Sequence, residues 1–142
     1  MQVSNQPDLK FQGVDIINIR FNTEKPYDGS SEINLDVQPK VFYPKDSRTE
    51  FKIFMEVSMK CEGFFDLNLV GIGNFKFDEE LNDEKRKKSF MNTNAPAIMF
   101  PYLRAFITTL TSNLGEVTGP LVIPTQFFKG ELEEIKMDDY EE

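Results

Sequence analysis

Residues 49–62 alternate between apolar and polar side chains at almost every position. An alternation of this kind is typical of an antiparallel strand with one face in the core and one face in water. Phe54 interrupts the polar set. An aromatic side chain at this position predicts that the outer face of the sheet also contacts another segment or molecule. Met55 and Met59 lie on the apolar side, where flexible thioethers more often fill a core than a binding surface.

Two neighbouring segments follow the same period. Residues 33–43 alternate around Pro39, which predicts an edge strand or a bulged strand because proline cannot donate to a central ladder. Residues 65–77 continue the pattern, but Val70 and Ile72 add apolar side chains to the opposite face. A bulge or a sheet centre covered on both sides would explain this pair.

The N-terminal segment changes parity along its length. Its apolar positions run through Leu9 and Phe11, and the regular alternation is then broken before it resumes at Ile17 and Phe21. This predicts a bent or bulged strand. Residues 1–77 are therefore expected to form a four-stranded antiparallel sheet, with a turn between the second and third strands at Asp46 and Ser47.

A long helix is predicted over residues 95–114, after a charged linker or short helix at 78–94 in which acids lead and bases follow, as a helix dipole favours. Pro96 suits a first helical turn, Pro101 should bend the helix, and Gly115 should end it. The fold class is accordingly α+β, a sheet with the helix packed on one face.

The apolar arc of this helix is wider than one small sheet readily covers. We therefore expect part of it to form an oligomer interface, made by Met99, Leu103, Phe106, Ile107 and Leu110. The alternative is a monomer in which the helix is simply core.

Residues 115–128 form an apolar, proline-broken crossover. Loops normally lie on the surface, so these side chains either cover the helix or line an exposed apolar surface. On the second interpretation they form a binding wall, to which the sheet adds Phe42 and Phe54. The predicted crossover contacts are Val117, Leu121, Val122, Ile123, Phe127 and Phe128.

The tail at 129–142 is short and acidic. Leu132, Ile135 and Met137 have the spacing of one or two amphipathic turns, which predicts a short C-terminal helical segment.

Composition narrows the function. The 142 residues suit a single domain, 1–142, and the net charge of -8 argues against nucleic acid or an anionic membrane as partner. No run approaches the ~20 apolar residues of a membrane span, so a cytoplasmic protein is expected. The chain has no histidine and one cysteine, Cys61, which removes the usual zinc sites and histidine-based catalysis. We expect that the protein binds no cofactor and is not an enzyme.

The stretch from Ala95 to Phe128 resembles one family. The SecB protein-export chaperones carry A/C-P-x-x-L-F-P-Y-x-R-x-x-I-x-x-L, then a glycine turn, a Pro-Leu step and P-V-N-F. The matching positions here are Ala95, Pro96, Met99, Phe100, Pro101, Tyr102, Arg104, Ile107, Leu110, Pro120, Leu121, Pro124 and Phe127.

This resemblance implies an ATP-independent holdase for unfolded or precursor polypeptides, assembled as a homotetramer that is a dimer of dimers. It also implies delivery to the SecA motor through carboxylates on the sheet face, but Asn18, Asn22 and Asn68 stand near the positions where those carboxylates are expected. The alternatives are a chaperone dedicated to one client, such as an antitoxin, and a scaffold protein that reuses the fold.

Overall fold

The computed structural model describes residues 9–44, 49–78, 83–126, 128 and 130–135. The predicted turn at Asp46 and Ser47 lies outside these ranges. The four long strands are β1 (Leu9–Thr23), β2 (Asn34–Phe42), β3 (Glu50–Cys61) and β4 (Phe65–Phe77). They are followed by α1 (Glu84–Ser89), a π-helical turn (Phe90–Asn94), α2 (Ala95–Ser112) and the short strand β5 (Glu133–Glu134).

The strands form one sheet in the order β1-β4-β3-β2-β5, in which the four long strands are antiparallel. The predicted α+β class is thus confirmed. Alternating side chains of β3 and β4 point to the inner face, where they pack with α2 into a single core. Met55 and Met59 belong to this core, as predicted.

The parity change along β1 has the predicted cause. β1 shifts register against β4 twice, between Phe11 and Val14 and between Ile17 and Arg20. At each shift three steps along β1 oppose two along β4, so one extra residue is accommodated. Asn18, in the second bulge, has a positive φ of 54°, a conformation that asparagine tolerates better than most residues.

Two glycines of β4 allow α2 to lie close to the sheet. A Cβ at Gly71 would stand 2.5 Å from Leu103 Cδ2, and one at Gly73 would stand 2.8 Å from Met99 Sδ. Because Leu103 and Met99 are fully buried, neither has free space into which to move. The glycines therefore set the distance between helix and sheet.

The helices begin and end near the predicted points. Asp83 caps α1 by accepting hydrogen bonds from the backbone N–H groups of Lys85 and Arg86. α2 has a proline in its first turn and continues through Pro101 to Ser112, and Gly115 follows with a φ of 69°. Within the described ranges, no helix is both long and apolar enough to cross a membrane.

The predicted C-terminal helical segment is wrong for the residues that can be compared. Residues 130–135 contain no helical turn, and Glu133 and Glu134 pair in parallel with Lys40 and Val41 at the β2 edge. An isolated helix of a few residues cannot repay its own nucleation, whereas strand pairing uses an edge that already exists. Met137, the third residue of the predicted turn, lies outside the described ranges.

Candidate functional site

The predicted binding wall on the crossover is split between core and solvent. Val122 is 73% exposed, but Leu121 and Ile123 are 7% and 1% exposed and pack in the core. In an extended segment successive side chains point to opposite sides, so only alternate residues can face outward. The prediction that Leu121 and Ile123 contact a ligand at the surface is therefore corrected, since both are buried within the chain.

Side chains of α2 hold the crossover in this orientation. The Arg104 Nε–H donates to the Ile123 carbonyl at 2.8 Å, and the Thr108 hydroxyl donates to the Leu121 carbonyl at 2.7 Å. The Leu121 N–H donates to Thr111 Oγ1 at 2.9 Å. These bonds satisfy backbone groups of a segment that belongs to no sheet, and so they fix which of its side chains point inward.

Two further predicted contacts on the crossover, Val117 and Phe128, are less accessible than Val122. Val117 is half-buried, and its carbonyl accepts a hydrogen bond from the Tyr27 N–H at 2.8 Å. Phe128 is also half-buried, with its ring centroid 5.8 Å from that of Phe100. Phe127 lies outside the described residues.

The predicted oligomer interface requires a similar correction. Met99, Leu103 and Ile107 are fully buried between α2 and the sheet, so they are core residues of the single chain. Phe106 and Leu110 are half-buried and pack at the margin of that core.

The exposed side of α2 has different residues. It presents small side chains together with Tyr102, which is 54% exposed and whose ring centroid lies 5.1 Å from that of Phe11 in a tilted arrangement. A shallow depression lies between this side of the helix and the crossover, lined by Pro101, Arg104, Ala105, Thr108, Thr109 and Val122.

The sheet contribution to the predicted wall lies on the outer face. Phe54 is half-buried there, and its ring centroid lies 6.2 Å from that of Phe42 in an edge-to-face arrangement. Phe42 is buried but does not belong to the main core cluster. Both rings therefore stand on the side of the sheet away from α2.

Phe54 lines an open cavity of about 600 Å³, which we call the outer-face cavity. Its apolar lining comes from β1, β3, β4 and the residue after β5: Ile17, Phe54, Val70, Ile72 and Ile135. Its polar lining is formed by Asn18, Lys40, Glu56, Glu133 and Glu134. Apolar walls with a few polar groups are typical of binding sites.

The rim of the outer-face cavity is more acidic than basic. Glu56, Glu133 and Glu134 supply three carboxylates, against the single ammonium group of Lys40. In a chain of net charge -8, this surface favours an apolar ligand that carries no net negative charge. Titratable groups with the spacing of a metal site were not found among the described residues.

Most of the outer-face cavity was missed by the prediction from sequence, which selected only Phe54. The signal for Val70 and Ile72 was present, because both add apolar side chains to the polar face of β4. Ile17 could not be placed without the register of the bulged strand, and Ile135 depended on the pairing of β5.

Comparisons with known proteins point in one direction. The chain is 32% identical over 120 residues to the protein-export protein SecB of Orientia tsutsugamushi strain Boryong, an alignment that covers 82% of this chain and 69% of the relative. The corresponding protein of strain Ikeda is equally similar, with 68% of its length covered. An uncharacterized protein of Methanocaldococcus jannaschii is 27% identical, across 94% of this chain and 90% of that protein. No family model matches the sequence.

Solved structures agree on the fold. The Mycobacterium tuberculosis Rv1957 SecB-like chaperone, in complex with a ChAD peptide from the Rv1956 HigA1 antitoxin, superposes with a TM-score of 0.68 at 12% identity and covers 84% of this chain and 88% of its own. A protein of unknown function from Streptococcus agalactiae has a TM-score of 0.51 at 9% identity, covering 82% and 97%.

Proposed function

The chain belongs to the SecB family, and on that premise we propose that it is a molecular chaperone that holds non-native polypeptides without using ATP. The observation that supports this function best is the outer-face cavity, an apolar surface that the folded chain leaves open on the side of the sheet away from its core. A native monomer has no structural need for such a surface. Extended polypeptides with exposed apolar side chains would gain from covering it.

Within this proposal the outer-face cavity is the main client contact. Phe54 forms its floor with Val70 and Ile72, and Ile17 is 39% exposed at its edge. Full burial of a wholly exposed apolar side chain contributes roughly 1.5–3 kcal/mol, and each of these partly covered side chains contributes a fraction of that. A client segment that covers several of them would therefore be held with useful affinity after the entropy of ordering it has been subtracted.

Paired substitutions on β1 test this location. Ile17→Asp places a charge at the edge of the outer-face cavity, whereas Ile19→Asp makes the same change two residues away, at a side chain that is 46% exposed and does not line the cavity. We expect the first to weaken binding of reduced, alkylated lysozyme about tenfold and the second to change it less than about twofold. Fluorescence anisotropy with labelled lysozyme gives both values, and equal losses in the two variants would contradict the assignment.

The crossover offers the competing location. Val122 is its most exposed apolar residue, beside the depression on α2. We expect Val122→Asp to leave lysozyme binding unchanged. A loss of binding confined to this variant would move the client site from the sheet to the helix and crossover.

A chaperone dedicated to a single client is the second candidate. It is favoured by the likeness to a SecB-like chaperone that was solved with an antitoxin peptide. A further observation is that Asn22 and Asn68 donate to Asp66 at 3.4 and 3.3 Å on the outer face, where the family resemblance implies carboxylates for SecA. Binding of several unrelated unfolded proteins would favour the general chaperone, and measurable affinity for SecA would favour export.

We also propose that the protein acts as a homo-oligomer. Support comes from the exposed side of α2, where Tyr102 and small side chains form a surface suited to close packing against another copy. Light scattering at micromolar concentration tests this, with a dimer or tetramer expected. A mass of 16.4 kDa would identify a monomer.

A further inference from the structure

The segment Gly130–Ile135 occupies the β2 edge beside the outer-face cavity. Among the described residues, β5 pairs with Lys40 and Val41 of β2, and the Ile135 N–H donates to the Val41 carbonyl at 2.8 Å. Directly before β5, the Leu132 N–H donates to Asn92 Oδ1 of the π-helical turn at 3.0 Å. Leu132 is half-buried against the core, and Ile135 lines the cavity.

The pairing begins at Lys40, and not earlier along β2, for a physical reason. The Val41 carbonyl points away from β3, towards Ile135. Because alternate residues of a strand direct their backbone groups to the same side, the backbone nitrogen of Pro39 also points away from β3. Proline has no N–H, so β2 offers no hydrogen-bond donor to an added strand at the position just before Lys40. Within the described part of the chain, two ladder pairs and the bond to Asn92 hold a segment whose glutamates are exposed.

We propose that Gly130–Ile135 is a displaceable internal occupant of the β2 edge, and that an extended apolar segment of a client pairs with β2 in its place. The chain's own segment shows what the edge accepts: a parallel extended backbone with apolar side chains three residues apart, at Leu132 and Ile135. This inference rests on the proposed chaperone function. It adds that client binding competes with an internal strand.

The displacement would enlarge the client surface. Ile135, Glu133 and Glu134 form one side of the outer-face cavity, so their departure opens the cavity towards β2. It also removes two of the three carboxylates from the rim and frees the outer backbone groups of Val41. A client strand could then bond to β2 and place its side chains in the cavity at the same time.

A reversible cross-link tests the proposal. Lys40 and Glu133 are directly paired, so the double variant Lys40→Cys/Glu133→Cys can form a disulfide that fastens β5 to β2. Cys61, the one native cysteine, is 1% exposed and should not exchange with it. Thiol titration after treatment with oxidised glutathione follows closure, and dithiothreitol reopens the same sample.

We expect the oxidised form to bind reduced, alkylated lysozyme at least about tenfold more weakly than the reduced form, since the cross-link denies the client the β2 edge and the enlarged cavity. Equal affinities in the two forms would overturn the proposal. If wild type itself does not bind the lysozyme probe, the chaperone function fails and the inference falls with it. If wild type binds the lysozyme probe but the cross-link does not change the affinity, the inference fails and the proposed chaperone function stands.

An opening variant gives the opposite change. Asn92→Ala removes the acceptor of the Leu132 N–H without altering the cavity lining, and we expect affinity for the lysozyme probe to rise about two- to fivefold. Asn94→Ala is the matched control in the same turn, because the Asn94 side chain does not cap α2. Unchanged or weaker binding by Asn92→Ala would contradict the proposal. Amide exchange at Leu132 and Ile135 should accelerate when the probe binds, and slower exchange there would also contradict it.

Discussion

Thr111 joins α2 to the crossover through a single buried hydroxyl. Its Oγ1 donates to the Ile107 carbonyl at 2.7 Å and accepts from the Leu121 N–H, and the residue is 0% exposed. Thr111→Val keeps the shape but leaves the Leu121 N–H buried without an acceptor. We expect a loss of about 1–3 kcal/mol in the free energy of unfolding, measured in urea.

Thr109→Val is the control for this change, because Thr109 is exposed on the same helix and should alter stability by less than about 0.5 kcal/mol. Similar losses in both variants would mean that helix propensity, and not the bond to Leu121, explains the effect.

Asp28 stabilises the connection between β1 and β2 in a pH-dependent way. Its carboxylate accepts hydrogen bonds from the Ser31 hydroxyl at 2.6 Å and from the N–H groups of Ser31 and Ser30 at 2.8 and 2.9 Å. These bonds lower the pKa of Asp28 from 3.8 to about 2. Because the folded pKa lies below the unfolded one, the stabilisation is complete above the unfolded pKa and is lost as the pH falls through the folded pKa.

Asp28→Asn should therefore reduce the free energy of unfolding most above about pH 5, with the difference from wild type shrinking between about pH 4 and pH 2. Urea titrations at several pH values give this difference. A difference that is constant across the range would show that the carboxylate charge is not responsible.

At the residue scale, sequence predicted the core better than the surface. Met55 and Met59 follow from the period of β3, and period alone is enough for them. Leu121 and Ile123 were wrongly assigned to the surface because hydrophobicity predicts that a side chain is buried, but not whether its own chain or a partner buries it. The hydroxyls of Thr108 and Thr111 decide that question, and their role depends on tertiary contacts.

The packing of α2 on β4 is the element-scale feature most sensitive to substitution. Gly71→Ala would set a methyl group against Leu103, and we expect it to destabilise the fold by about 1–3 kcal/mol through overpacking. Leu103→Ala alone should cost about 2–5 kcal/mol. In the double variant the new methyl enters the space that leucine leaves. The loss of stability measured for the double variant should therefore be smaller than the sum of the two single losses. Strict additivity in urea denaturation would contradict close contact at this point.

Elements differ in how far sequence determines them. Alternation predicted all four long strands, and the parity change in β1 predicted its bulges. β5 was mistaken for a helical turn because Leu132 and Ile135 have helical spacing, and only the open edge of β2 makes an extended conformation favourable. Short segments take their conformation from their neighbours.

For the molecule as a whole, the two sides of the sheet have separate tasks. The inner side, with α2, supplies the core and was largely predictable from hydrophobic period. The outer side carries the cavity, whose lining comes from all five strands and the residue after β5, and residues so far apart in sequence can be assembled only by the sheet register.

The central claim is that this surface holds unfolded polypeptides, and suppression of aggregation tests it most directly. Luciferase unfolded by heat would be followed by light scattering, with increasing amounts of the protein and no ATP. We predict that scattering falls to baseline near stoichiometric ratios and that Ile17→Asp requires severalfold more protein than Ile19→Asp. If luciferase aggregates equally with and without a large excess of wild type, the protein is not a holdase.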